Sequence, residues 1–249
     1  MRYFIELSYN GKNYHGWQIQ PDEISIQETI EKALSLLLKE TIQVVGCGRT
    51  DTGVHASQFF LHFDCQRPID KEKLKFRLNS YLPQDIVIFQ VISVVDDAHA
   101  RFQALSRSYQ YSVSLGKNVF QRDLSLEIFH NSLDVDLMNK AAKTLLEYSD
   151  FKCFSKTKTE VKTYQCLITE AYWEINGNQL VFHISANRFL RNMVRAIVGT
   201  LLQVGKGRMS LDEFKSVIES RDRNKAGTSV KAKGLFLTAV VYPKDIFNE

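Results

Sequence analysis

Twice along the 249-residue chain the same succession of periodicities can be read, and this repetition constrains the fold more than any other feature. The first half opens with the alternating segment "RYFIELSY", the pattern of a half-buried strand. A helix is predicted from Ser25, where "SIQE" offers a capping serine ahead of apolar Ile30, Leu34, Leu37 and Leu38. Strands "TIQVVGCG" and "SQFFLHFDC" follow, then a helix opening near Asp70 and a strand "IVIFQVISVV". The second half repeats the order. A strand "LSRSYQYSVSL" leads to a helix "DVDLMNKAAKTLLEYS". Strands "CLITEAYWEI" and "QLVFHISA" come next, with Asn176-Gly177 expected as the turn between them. A helix "RFLRNMVRAIVGTLLQVG", a shorter one from about Ser210 and a strand "LFLTAVVYP" close the chain. Each half reads β-α-β-β-α-β, the split βαβ or ferredoxin-like unit. The expected fold is therefore α/β in the α+β sense. Two ferredoxin-like units, residues 1–100 and 101–249, form a mainly antiparallel sheet with helices on one face and the other face open. An open sheet face is a natural bed for RNA, but fold alone proves no function.

Composition excludes several classes. No apolar run approaches the roughly 18 to 20 residues that span a bilayer, and Glu6 interrupts the stretch where a signal peptide needs apolar residues. The expectation is a cytoplasmic protein. The four cysteines, Cys47, Cys65, Cys153 and Cys166, form no CxxC pair, and the histidines form no HExxH. Buried free thiols and no metal are expected. Charge is unevenly divided. Residues 1–100 carry 10 Lys and Arg against 13 Asp and Glu, residues 101–249 carry 22 against 15, and Asn187 to Arg208 holds five basic residues and no acid. A polyanionic partner fits that asymmetry better than a small neutral one.

One loop stands out chemically. "GCGRTDTGVHA", Gly46 to Ala56, contains three glycines and a single carboxylate, Asp51, with no other Asp or Glu from Thr41 to Phe63. Glycines permit backbone angles and close approaches that side chains block. Asp is ionised at neutral pH when exposed, and burial in a pocket would raise its pKa and remove the charge. A guanidinium opposes that shift. Arg49 lies two residues away, and Arg191 and Arg195, at i and i+4 of the predicted "RNMVR" helix, would share one face. A carboxylate held ionised in this way suits covalent catalysis, although such pairs are also common structural features, and an Asp in a turn often merely caps it. The two-carboxylate arrangement of a glycosidase is absent.

The motifs carry a resemblance across nearly the whole chain. "GRTDTGVHA" is similar to the catalytic GRTDxGVHA of the tRNA pseudouridine synthase A family. "YNGKNYHGWQIQ", "HARFQALSRSYQY", "NRFLRNMVRAIVGTLLQVG" and "AKGLFLTAVVYP" resemble that family's other signatures in the same order. The resemblance implies isomerisation of uridine to pseudouridine in the anticodon stem-loop of tRNA, at positions 38 to 40, without cofactor. It implies Asp51 as nucleophile, Tyr109 as the residue stacking on the target uracil, Arg195 as the partner of the nucleophile, Leu235 as an apolar closure of the pocket, and a homodimer. Whether Asp51 attacks sugar, attacks base or abstracts a proton stays open. Thr52 stands where many members have Ala, and Asn10 where the first motif usually has Asp.

A stacked uracil must be flipped out to react, at a cost of a few kcal/mol, and stacking on Tyr109 would return roughly 1–3 kcal/mol. Phosphate contacts would come from Arg101, Arg107, Lys152, Lys156, Lys158, Lys162, Arg188 and Arg191, the Lys-rich segment being the best gripping loop. Tyr14 and Trp17 read better as packing beside the active site than as stacking on RNA. Two rivals remain: an RNA-binding protein that has lost the chemistry, and a carboxylate-dependent hydrolase, which lacks its second carboxylate.

Overall fold

The computed structural model describes residues 1–129, 133–156 and 162–248, and the chain forms two compact units. The first comprises Met1–Ser106 and Phe236–Glu249, the second Arg107–Leu235. This differs from a division at residue 100, because the closing segment returns to the first unit. Its strand pairs in parallel with the third strand at His55↔Phe236 and Ala56↔Leu237.

In the first unit the order is β1 (Arg2–Tyr9), α1 (Ile26–Leu38), β2 (Val44–Gly46), β3 (His55–Asp64), α2 (Lys71–Tyr81) and β4 (Ile86–Val94). Strand β1 lies between β4 and β3, antiparallel to both, and β2 pairs antiparallel with β3. That is the ferredoxin-like arrangement the periodicity predicted. Helix α1 starts where its cap dictates, with Ser25 Oγ accepting from Glu28 N, and Asp70 caps α2 through Lys73 N. Strand β2 is shorter than expected for a reason the helix supplies. Ile42 N donates to Ser35 Oγ and Val44 N to Glu31 Oε1, so side chains of α1 take bonds that a longer ladder would have used. The face of β1 carrying Phe4 is not bare: Tyr242 and Phe247 meet Phe4 edge-on at 5.3 and 6.3 Å. β9 (Leu235–Val241) leads into this aromatic cover.

The second unit holds β5 (Ser106–Leu115), β6 (Leu126–Ile128), α3 (Val135–Thr144), β7 (Ile168–Asn176), β8 (Gln179–Ala186), α4 (Met193–Gly205) and α5 (Leu211–Ser220). β8 is antiparallel to both β5 and β7, while β6 adds a short parallel pairing to β5 that periodicity did not reveal. The β7–β8 turn sits one residue later than expected. Asn176 pairs with Gln179, which leaves Gly177-Asn178 as the turn, with Gly177 at φ +58°. Asn139 pins α3 to β7, its amide donating to Trp173 O and accepting from Trp173 N. Helix α4 is buried almost all round, from Met193 to Gly205, as befits a helix at the centre of its unit. It begins five residues after Arg188, because Asn192 adopts a left-handed conformation, φ +66°, at its N-cap. Arg191 therefore lies outside the helix, and the shared face expected for Arg191 and Arg195 does not exist. All four cysteines are buried and free; burial pushes the thiols of Cys153 and Cys166 up to about 12 and 11.

Candidate active site

Asp51 sits in the first unit, half-buried, in the turn between β2 and β3, where Val54 N donates to Asp51 O. What holds this turn is the segment that follows β1. Trp17 N donates to Thr50 O, Gly53 N to Tyr14 O, Gly11 N to His55 Nδ1, and Tyr9 Oη lies 2.9 Å from Thr50 Oγ1. The approach is as close as backbones allow. A Cβ on Gly11 would stand 1.9 Å from Val54 O, and one on Gly16, at φ +85°, 2.3 Å from Thr50 O. By contrast a Cβ on Gly48 would meet nothing within 4 Å, so that side of the loop faces open space.

Beneath the turn the aromatic residues pack, as the sequence favoured. Tyr14 and Trp17 are buried; the indole stacks on Phe59 at 4.1 Å, and Tyr14 Oη donates to Asp85 Oδ1 at 2.6 Å. Asn10 caps the 3₁₀ turn Gly11–Asn13 by accepting from Lys12 N, a task a neutral amide performs as well as the usual carboxylate. His55 is buried with its ring against Phe236 at 4.7 Å, and acceptance at Nδ1 assigns its proton to Nε2. Arg49 is exposed on the loop.

Also in the first unit, the segment after His99 is braced by a pair of imidazoles. His62 Nδ1 accepts from Ala100 N, and His99 Nδ1 accepts from Arg101 N and Phe102 N. Burial drives the His62 pKa down to about 4, helped by the nearby Arg2 guanidinium and His99, and lowers that of His99 as well. The brace presents Arg101, its guanidinium 5.7 Å above the exposed ring of Phe102.

The second unit supplies the remaining candidates. Arg107 and Tyr109 project from one face of β5, and Tyr109 meets Phe189 edge-on at 5.1 Å. Arg107 Nη1 donates to Asn187 O. Farther along that face Tyr111 is fully buried, donating to Lys231 O; burial raises its pKa, and the nearby Arg195 opposes the rise. Arg195, in the first turn of α4, uses Nε to donate to Val230 O at 2.7 Å. Leu235 is buried immediately after Gly234, where a Cβ would stand 2.9 Å from the Tyr111 ring.

Among the basic residues, Lys156 N donates to Arg191 O, which places these two exposed cations side by side. Lys152 covers the ring of Tyr164 at 5.6 Å, and Lys162 is exposed. Arg188 is half-buried, close enough to Cys166 to temper the burial of its thiol. Lys158 lies outside the described residues. Sequence reasoning missed Phe189, the exposed Phe102 and the residues that orient Arg195. Phe102 and Phe189 were visible only as members of motifs.

Taken together, these are a glycine-clasped loop presenting one carboxylate, a half-buried tyrosine on a strand face and an oriented arginine, with exposed cations on both units. The family model for tRNA pseudouridine synthase matches residues 7–103 and 141–243, and the chain belongs to that family. It is thus an isomerase that acts on tRNA, and no described helix is long and apolar enough to cross a membrane. Among its relatives, tRNA pseudouridine synthase A of Parabacteroides distasonis is 51% identical over 247 residues, 99% of this chain and 98% of the relative. The Bacteroides fragilis protein of the same name is 52% identical, with 99% and 98% covered. That of Bacillus subtilis is 41% identical, with 97% and 99% covered.

Proposed function

We propose that this chain converts uridine to pseudouridine in the anticodon stem-loop of tRNA, at positions 38 to 40, with Asp51 as nucleophile. The observation that carries the reading is the clasped turn. Two backbone bonds, one bond to the His55 ring and two glycine contacts hold the turn on either side of Asp51, while the Gly48 side stays open to a nucleotide. In the reaction the bond from the ribose carbon to uracil N1 breaks, the base turns, and the same ribose carbon bonds to C5. The C5 proton is then lost to water and N1 gains one, so mass is conserved and no redox partner is needed. Tyr109 serves as the stacking surface for the flipped uracil, its ring kept upright by Phe189. Arg195 keeps the nucleophile charged, Arg49 supports the loop, and Leu235 closes the pocket against water.

The cations grip phosphate. Lys156 and Arg191 form the strongest candidate pair; Lys152, Lys162, Arg107 and Arg188 of the second unit and Arg101 of the first are the further candidates, and Lys158 joins this set by sequence. A homodimer and a cytoplasmic location belong to the same reading, as does a division into two ferredoxin-like halves. The test is tRNA carrying tritium at C5 of uracil, given to wild type and to Asp51→Asn. Wild type should release tritium to water, and the variant should bind tRNA without release. Replacing the uridines at 38 to 40 should abolish the signal. Binding without release by wild type would leave the chain as an RNA-binding protein only.

A further inference from the structure

We infer that Arg223, acting through Ser229 and Asn192, is a positioning residue for the Arg195 guanidinium; the inference rests on the role proposed above for Arg195. Residues 226–231 form a strap laid along α4. A Cβ on Gly199 would stand 1.9 Å from Thr228 O, and one on Gly227 2.9 Å from Gly199 O, so strap and helix touch backbone to backbone. Gly227 N donates to Thr200 Oγ1, whose hydroxyl in turn donates to Ala196 O. At its far end the strap meets Arg195 twice: Val230 N donates to Arg195 O at 3.2 Å, and Arg195 Nε donates to Val230 O at 2.7 Å.

A bond at Nε fixes the plane of a guanidinium and hence the direction in which its two terminal nitrogens face. The bond to Val230 O therefore helps to set the orientation of Arg195, and Val230 follows directly on a pinned residue. Ser229 Oγ accepts from Arg223 Nη2 at 2.9 Å and from Asn192 Nδ2 at 2.5 Å. Arg223 Nη1 donates to Ala226 O and Gly227 O, so this one cation gathers the strap into a turn. Asn192 holds the other side. It occupies the left-handed N-cap of α4, three residues before Arg195, yet its side chain does not cap its own helix. The usual capping function is given up for a bond to the strap. Helix start and strap are thus tied at Ser229, and Arg195 lies between that tie and its own bond to Val230.

The experiment combines tritium release, giving kcat and KM for tRNA, with NMR exchange of the Arg195 Nε–H in the full-length protein. Ser229→Ala and Arg223→Gln should each lower kcat about tenfold, the loss from a misoriented charged hydrogen bond, with KM within twofold. Ser229→Thr, which keeps the hydroxyl, should restore the rate. In an Arg195→Lys background, Ser229→Ala should cost nothing further. Arg195 Nε–H exchange should be slow in wild type and faster in both single variants. Should Ser229→Ala fold poorly, Arg223→Lys provides the same comparison. Equal losses in both backgrounds would make the clamp merely structural, and raised KM with intact kcat would make Arg223 an RNA contact. Unchanged exchange would overturn the clamp itself. Failure of the Arg195 reading shows separately, as wild-type activity in Arg195→Lys alone.

Discussion

Replacing Gly16 with alanine should damage the protein in two measurable ways. The new Cβ would stand 2.3 Å from the carbonyl oxygen of Thr50, where ordinary contact begins at 3.4 Å, so a shift of ~1 Å must be found somewhere. Neither partner yields easily. Gly16 sits at φ +85°, a conformation costing a residue with a Cβ about 1–2 kcal/mol. Thr50 O also accepts from Trp17 N, a bond worth about 1 kcal/mol that the shift would break. The expected loss is about 2–4 kcal/mol in urea unfolding. Because Thr50 immediately precedes Asp51, a displacement of this size should also lower kcat about 100-fold with little change in KM. Gly48→Ala is the control. It lies in the same loop with nothing within 4 Å of the new Cβ, and its stability should stay within about 0.5 kcal/mol of wild type. Any loss of activity there would mark the side from which the nucleotide approaches. If Gly16→Ala unfolds at the wild-type urea concentration and turns over normally, the segment after β1 does not fix the position of Asp51.

Three further outcomes are expected. Tyr14→Phe removes the bond to Asp85 and should cost about 1–2 kcal/mol, read from the urea midpoint. His62 is held neutral in the folded state, its pKa about 4 against an ordinary 6.5, so its contribution is complete above the unfolded value and is lost as pH falls toward 4. Between pH 7.5 and 4.5 this amounts to about 2.5 kcal/mol, and His62→Asn should flatten the wild-type slope by that much; an unchanged slope would discount the imidazole. Finally, replacing Lys156 and Arg191 together with alanine should reduce the slope of log affinity for tRNA against log salt by about 2. An unaltered slope would place the phosphate contacts elsewhere.

The sequence was most informative where local physics and tertiary packing agree. Strand β1 and the cap Ser25 lie where alternation and capping chemistry put them, and β4, β8 and the helices expected to open near Asp70 and Ser210 lie where they were expected. It misled where one residue overrides a periodic pattern. The apolar spacing of "RFLRNMVRAIV" continues through Asn192, but the left-handed backbone there ends any helix preceding it, and Arg191 and Arg195 part. It also misled in β2, where side chains of α1 replace ladder partners. The candidate site divides similarly. Asp51 was legible as a lone carboxylate among glycines, and Tyr109 only through the resemblance. The orientation of Arg195 depends on Ser229 and Arg223, whose relevance comes from long-range contact and leaves no periodic trace.

The return of the last segment to the first unit has a consequence for biosynthesis. Residues 107–235 are contiguous, so the second unit has all its residues once Leu235 has left the ribosome. The first unit, though begun earlier, must wait for the segment that starts at Phe236. Phe236 then stacks on His55, Val240 N bonds to Gln58, and Tyr242 reaches Ala100 O. The half that is begun first is completed after the other, and its carboxylate loop gains Phe236 as a neighbour only once every residue of the second unit has been made.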